Sequence, residues 1–254
     1  MCKIDFVMYI AEIGLNHLGS IERLKKYFDC LILTNVDAIT IQIREKSYYE
    51  KNKDLVIDAG IYSEMIKLTK KNNKKFGVAI ADIDMIDFFE SNNIDFYKVI
   101  RNDINNKKLI DRLILTKKKL IVSTGTSSEK ELQNFINNYF KHNITLNHTQ
   151  LSNNIDDCNL KAISNLKQKY NIDVSYGSHS RDIDVLYMSL CFEPSDILFY
   201  VKDTENLKFP DNDHAISIDN VSEVIENLIY FKRAIGTGKK KKMEIKIWVK
   251  KQLY

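Results

Sequence analysis

Apolar runs alternate along this chain with stretches of helical period, which predicts a single-domain (β/α)8 barrel of the TIM type. Three observations carry the prediction. Eight short runs rich in β-branched and aromatic residues recur, each followed by a longer amphipathic stretch. Several of these runs are apolar at nearly every position, as in parallel strands covered on both faces. The chain has 254 residues, 44% of them hydrophobic. At that length an α/β barrel forms one unit and buries roughly three quarters of the surface its unfolded chain exposes. A doubly wound open sheet shares the repeat and is the alternative.

The strands are read in order as "FVMYIAEIG" (6–14), "VDAITIQI" (36–43), "KFGVAI" (75–80), "DFYKVI" (95–100), "KLIVST" (119–124), "ITLNH" (144–148), "IDVSYG" (172–177) and "DILFYV" (196–201). Among the helices, "SIERLKKYFDCLIL" opens on Ser20, a good N-cap. "SSEKELQNFINNYF" opens near Ser127 or Ser128 and puts Leu132, Phe135 and Ile136 on one stripe. "DDCNLKAISNLKQKY" does the same with Leu160, Ile163 and Leu166, and "DNVSEVIENLIYFKRAI" closes the series.

Either architecture binds ligands at the carboxyl ends of its strands. Polar and ionisable residues gather there: Glu12, Asn16 and His17; Gln42 and Arg44; Asp82; Lys98 and Arg101; Ser123 and Thr124; Asn147 and His148; His179; Lys202. Any one of them is ordinary loop chemistry, and a polar loop with a satisfied histidine is the plain reading of 12–17. Their joint recurrence predicts a polar site. A Lys at 98, inside an inner strand, is costly to bury unpaired and so points to a ligand.

Composition removes other classes. A formal net charge of +4 on 254 residues gives little support to nucleic acid as a partner. No run of about eighteen apolar residues offers a membrane span, and the N-terminus does not read as a secretory signal. Cys2, Cys30, Cys158 and Cys191 show no CxxC spacing and read as reduced thiols. The expectation is a cytoplasmic protein. Lys117 to Lys119 read as surface positions, and "KKKK" (239–242) as a solvated tail.

Six stretches together resemble the sialic acid synthase (N-acetylneuraminate synthase) family over about residues 8 to 238. "IAEIGLNHLGS" is similar to Ile-Ala-Glu-Ile-Gly-x-Asn-His-x-Gly, and "DFYKVIRNDINN" to Tyr-Lys-Ile-Pro-Ser-Gly-Glu-Ile-Thr-Asn. "IVSTGTSSEKEL" resembles Leu-Ser-Thr-Gly-Met-Ala-Thr, "VSYGSHS" Gly-Tyr-Ser-Asp-His-Thr, and "DNDHAISI" Gly-Pro-Asp-His-x-x-Ser-Leu. "AIGTGKK" is similar to the segment that ends the family's barrel.

The resemblance implies a transferase that condenses phosphoenolpyruvate with an amino-sugar such as N-acetylmannosamine to a nonulosonic acid, with a divalent metal, manganese or magnesium. It implies Glu12 and His179 as catalytic and metal-facing residues. Asn16, His17, Gln42, Lys98, Ser123, His148 and Asp213 are the implied substrate contacts, with Lys98 and Ser123 on phosphoenolpyruvate; Arg101 departs from the family's Ser and is suited as a phosphate ligand in place of the Lys that the second strand lacks. A homodimer is the implied assembly.

The chain also departs from the family. The strand-two Lys-Phe-Gln is Thr40, Ile41 and Gln42, and the strand-eight Glu-Lys-His is Leu198, Phe199 and Tyr200. The sixth-strand His-Cys-Thr is Asn147, His148 and Thr149, by substitution or a one-residue slip. A missing imidazole predicts weak metal affinity, since Tyr is a poor ligand near neutral pH. Residues 1–238 are read as the barrel and 239–254 as a basic tail, with the family's small antifreeze-like domain absent or reduced. The competing functional class is a catalytically impaired homologue that keeps anion or sugar binding or serves as an assembly partner.

Overall fold

The computed structural model describes residues 7–240 and 242, with the side chains of Arg101 and Asn102 outside the description. Its strands are β1 (Met8–Gly14), β2 (Ala38–Ile43), β3 (Lys75–Ile80), β4 (Phe96–Val99), β5 (Lys119–Ser123), β6 (Ile144–His148), β7 (Asp173–Gly177) and β8 (Asp196–Lys202). They pair in parallel and in chain order, and β8 pairs back onto β1 from Met8↔Asp196 to Glu12↔Tyr200. The ring is closed. The open-sheet alternative is thereby overturned, and the (β/α)8 barrel is the fold.

The helices among the described residues are α1 (Ile21–Leu31), α2 (Lys46–Lys51), α3 (Ala59–Lys71), α4 (Ile86–Ser91), α5 (Lys107–Leu115), α6 (Glu129–Tyr139), α7 (Lys161–Tyr170), α8 (Ile183–Ser189) and α9 (Val221–Ile235). Ser20 caps α1 through its side chain, accepting from the Arg23 N–H. Of the two serines before α6, Ser128 is the cap, in a reciprocal box with Glu131. Helix α2 adds an element to the plain alternation, and it buries no residue, so its sequence carries no apolar stripe to read. A two-residue strand, β9 (Ile216–Ser217), extends the end of β8. Of the basic tail at 239–254, only residues 239, 240 and 242 lie within the described residues.

The inside of the barrel is layered. At its base the Lys119 ammonium reaches Asp196 at 2.6 and 2.8 Å, so Lys119 is half-buried in an ion pair rather than on the surface. Above it, Met8, Ile10, Ala38, Phe96, Ile121 and Leu198 form a closed apolar plug. Phe96 crosses the interior so closely that a Cβ at Gly77 would overlap its ring and come within 2.7 Å of Thr40 Cγ2. Gly77→Ala is therefore expected to destabilise the protein by about 1–3 kcal/mol through overpacking. A urea midpoint lowered at unchanged slope checks it. The plug carries the next layer, where β1, β2, β4, β5 and β8 present Glu12, Gln42, Lys98, Ser123 and Tyr200 toward the mouth.

Candidate active site

A cavity of about 510 Å³ opens at the carboxyl ends of the strands, within the usual size for small-molecule sites. Gln42, Lys98, Ser123 and His179, four of the residues singled out from the sequence, line it together, with Arg44 and Asn147 from the same strand-end series. Each strand residue arrives there because alternate positions of a barrel strand face inward.

Lys98 is the centre of the arrangement. It is 4% exposed, and its ammonium donates to the carboxylate of Glu12, itself 1% exposed. The same nitrogen lies 3.4 Å from the Tyr200 hydroxyl and 5.3 Å from the centre of that ring. Glu12 lies behind Lys98 rather than in the cavity lining. Its carboxylate holds the cation that faces the cavity.

Aromatic rings form the adjoining wall. His179 sits 5.1 Å from Tyr200 and 4.6 Å from His214, centre to centre, and Tyr200 meets His214 edge-on at 4.9 Å. The Nδ1 of His179 is bonded to the Thr149 hydroxyl at 2.8 Å, which fixes the ring's orientation. At the rim, Arg44 forks onto Glu45 with two bonds of 3.0 Å and stacks over Tyr48.

The other described residues singled out from the sequence lie outside the lining of this cavity. Asn16 is fully buried and does not line the cavity. Its amide donates to the Val201 carbonyl at 2.7 Å and accepts from the Asp211 N–H at 3.2 Å, tying the β1 turn to the chain beyond β8. His17 faces its own turn, where Nδ1 accepts from the Gly19 N–H at 3.0 Å. His148 points away from the mouth, with Nε2 3.0 Å from the Cys158 carbonyl. Strand alternation explains the last case: Asn147 and Thr149 take the inward positions, which resolves the sixth-strand ambiguity in favour of Asn147. Asp213 is exposed and paired with Arg181 at 2.7 Å, in an outer groove that shares His179 and Asp211 with the cavity. The Arg101 side chain lies outside the described residues.

Sequence reasoning missed Asp103 and Asp211, which also line the cavity. Asp103 stands in "DFYKVIRNDINN" where the family motif has Glu, and Asp211 in "DNDHAISI" where it has Gly. Burial pushes the Asp103 carboxyl up. Burial, and then the charge of Glu12, push Asp211 up to about 7.

A divalent metal needs several converging donors. Among the described residues no group of three His, Cys, Asp or Glu is arranged to hold one. Of the two implied ligands, Glu12 already carries the Lys98 ammonium, and the layer beside it presents the Tyr200 phenol in place of an imidazole. These residues do not fit the ion that the resemblance implies.

The buried imidazoles give a pH signature. Burial lowers His17 and His214 from 6.5 to about 4. Between those values the unfolded chain binds the protons and the fold does not, so stability rises with pH across that window and is lost as pH falls through it. Each contributes on the order of 3 kcal/mol. Asp211 runs the other way, losing stability as pH rises from about 4 to about 7. In His17→Asn, whose Oδ1 can accept the same Gly19 bond, one of the depressed imidazoles is gone while the raised Asp211 carboxyl remains. The rise in melting temperature between pH 4.5 and 6.5 is expected to flatten in that variant.

A closed (β/α)8 barrel with a ligand-sized polar mouth, lined by Lys98, Arg44 and the carboxylates of Asp103 and Asp211, defines a small-molecule site of the barrel-enzyme kind. The chain belongs to the NeuB family, whose model matches residues 12–240. It is 23% identical to the N,N'-diacetyllegionaminic acid synthase of Campylobacter jejuni, across 92% of this chain and 79% of that one. It is 25% identical to a pseudaminic acid synthase of the same species, across 92% and 76%. Among solved structures, the N-acetylneuraminic acid synthetase of Leptospira borgpetersenii superposes with a TM-score of 0.85 at 21% identity, covering 97% of this chain and 90% of that one. No helix among the described residues is long and apolar enough to cross a membrane.

Proposed function

We propose that the chain condenses phosphoenolpyruvate with an amino-sugar related to N-acetylmannosamine, forming a nonulosonic acid and releasing phosphate. The observation that carries this reading is the Lys98 ammonium, held by Glu12 at the floor of a cavity that Ser123, Gln42 and His179 also line. A fixed cation with hydroxyl and amide donors beside it suits a phosphorylated carboxylic acid. Relatives named as legionaminic and pseudaminic acid synthases support the reaction class.

In this reading Lys98 and Ser123 hold phosphoenolpyruvate, with Arg101 as a further phosphate ligand suited by its planar fork. Glu12 sets the position of Lys98. His179, oriented by Thr149, faces the water that adds to the central carbon of phosphoenolpyruvate. Gln42 orients the acceptor within the cavity, and Asp213 meets its far end in the outer groove.

The experiment is thermal. Phosphoenolpyruvate at millimolar concentration raises the melting temperature, because a ligand of the native state stabilises it. An unchanged melting point, with and without manganese, contradicts the reading. A barrel that binds the anion without turnover is the second reading, favoured by Leu198 at the strand-eight carboxylate position, where it belongs to the apolar plug.

A further inference from the structure

We propose that Asp211 is the acid of the condensation, giving its carboxyl proton to the acceptor's carbonyl oxygen as the carbon–carbon bond forms. It thereby supplies the carboxylate that position 198 lacks. The assignment rests on the condensation reading above.

Asp211 follows β8 on the loop that closes the mouth, and three features build its place. The Asn16 amide clamps its backbone N–H and the Val201 carbonyl at once, so the loop is pinned to the ends of β1 and β8. Gly14, with φ of +57°, leaves the space the carboxylate uses: a Cβ there would stand 3.0 Å from Asp211 Oδ2. The side chain lines the cavity alongside Lys98, Ser123, His179 and Tyr200, where a bound acceptor must lie.

Its partners leave it suited to carry a proton. Lys98 is engaged by Glu12, and His214 Nε2, 3.7 Å from Asp211 Oδ1, belongs to an imidazole that burial keeps neutral. Burial, and then the Glu12 charge, raise the Asp211 carboxyl, and they outweigh the opposing pull of Lys98 and of a bond from the Asn16 side chain. Relative to the family stretch Gly-Pro-Asp-His, the carboxylate at 211 is this chain's own feature, as is Leu198.

The step balances. The methylene carbon of phosphoenolpyruvate attacks the acceptor's aldehyde carbon, and the carbonyl π pair becomes a hydroxyl by taking the Asp211 proton. Water adds to the central carbon, and one of its protons returns to the Asp211 carboxylate. The carbon–oxygen bond to phosphate then breaks with its electron pair on phosphate, which takes the remaining hydroxyl proton and leaves a 2-oxo acid.

The test compares full-length wild type, Asp211→Asn and Asp211→Glu by phosphate release from phosphoenolpyruvate with the acceptor that wild type turns over. Asp211→Asn is expected to lower kcat by about 10²–10⁴. Its KM for phosphoenolpyruvate stays within about threefold, since the phosphate contacts are elsewhere. Asp211→Glu is expected to recover at least about tenfold of that loss, because it restores a proton donor. An Asn variant whose kcat stays within threefold overturns the assignment alone. So does a loss that Glu does not relieve, or one accompanied by loss of the phosphoenolpyruvate-induced melting shift; both mark a packing role. A wild type silent with every acceptor overturns the assignment together with the proposed function.

Discussion

Lys98→Ala is expected to lower the unfolding free energy by about 3–5 kcal/mol and to abolish the melting shift given by phosphoenolpyruvate. The two losses have different origins. The first comes from Glu12, which is 1% exposed and would be left as a buried charge without its cation. The second comes from the missing phosphate ligand. A double variant separates them. Replacing Glu12 by Gln and Lys98 by Met removes both charges while keeping side-chain volume, and a buried ion pair exchanged for uncharged groups costs little. Urea titration of the double variant is expected to return most of the lost stability, with the phosphoenolpyruvate shift still absent. A double variant as unstable as Lys98→Ala would mean that the pair is not what holds this layer together.

Glu12→Gln is expected to lower kcat by about 10², with phosphoenolpyruvate binding unchanged or tighter. Removing the counter-charge leaves Lys98 free to move toward the phosphate, which favours ground-state binding. The same movement displaces the reacting carbons, and a misplacement of about 1 Å costs on the order of 10² in rate. Steady-state kinetics and calorimetric titration of the same sample check the split. An unchanged kcat would show that the placement of Lys98 does not matter to the reaction.

The fold was legible because a barrel strand announces itself through local residues. The eight runs read from the sequence end within two residues of the strands observed at either side. The small overruns have causes. The run at 36–43 begins before β2 because the Asp37 carboxylate turns aside to accept the Tyr9 N–H at 2.8 Å. Asp95, at the start of the run at 95–100, does the same for Phe76, also at 2.8 Å. The site was legible where residues lie on strands or directly after them. Lys98, Ser123, Gln42 and His179 follow from position and motif, because strand alternation fixes which way they face.

The remainder depends on contacts that no local window contains. His148 is turned outward by strand parity and held by Cys158, ten residues on. Asn16 is drawn away from ligand by the Val201 carbonyl and the Asp211 N–H, groups far along the chain. Asp211 is brought to the cavity, half-buried, on a loop that the same clamp pins. Its one visible signal was an Asp at the glycine position of a motif whose Asp-His and Ser are kept as Asp213, His214 and Ser217. The Lys119–Asp196 pair likewise appears only when β5 and β8 face each other across the base of the barrel.

The most direct test of the condensation reading is phosphate release from phosphoenolpyruvate with a panel of amino-sugars, each assayed with and without added manganese or magnesium. The expected result is release with at least one acceptor, matched mole for mole by a 2-oxo acid product and reduced by about 10² or more in Asp211→Asn. Phosphoenolpyruvate binding with no release across the whole panel would contradict it, and would leave a barrel that retains the family's anion site without its chemistry.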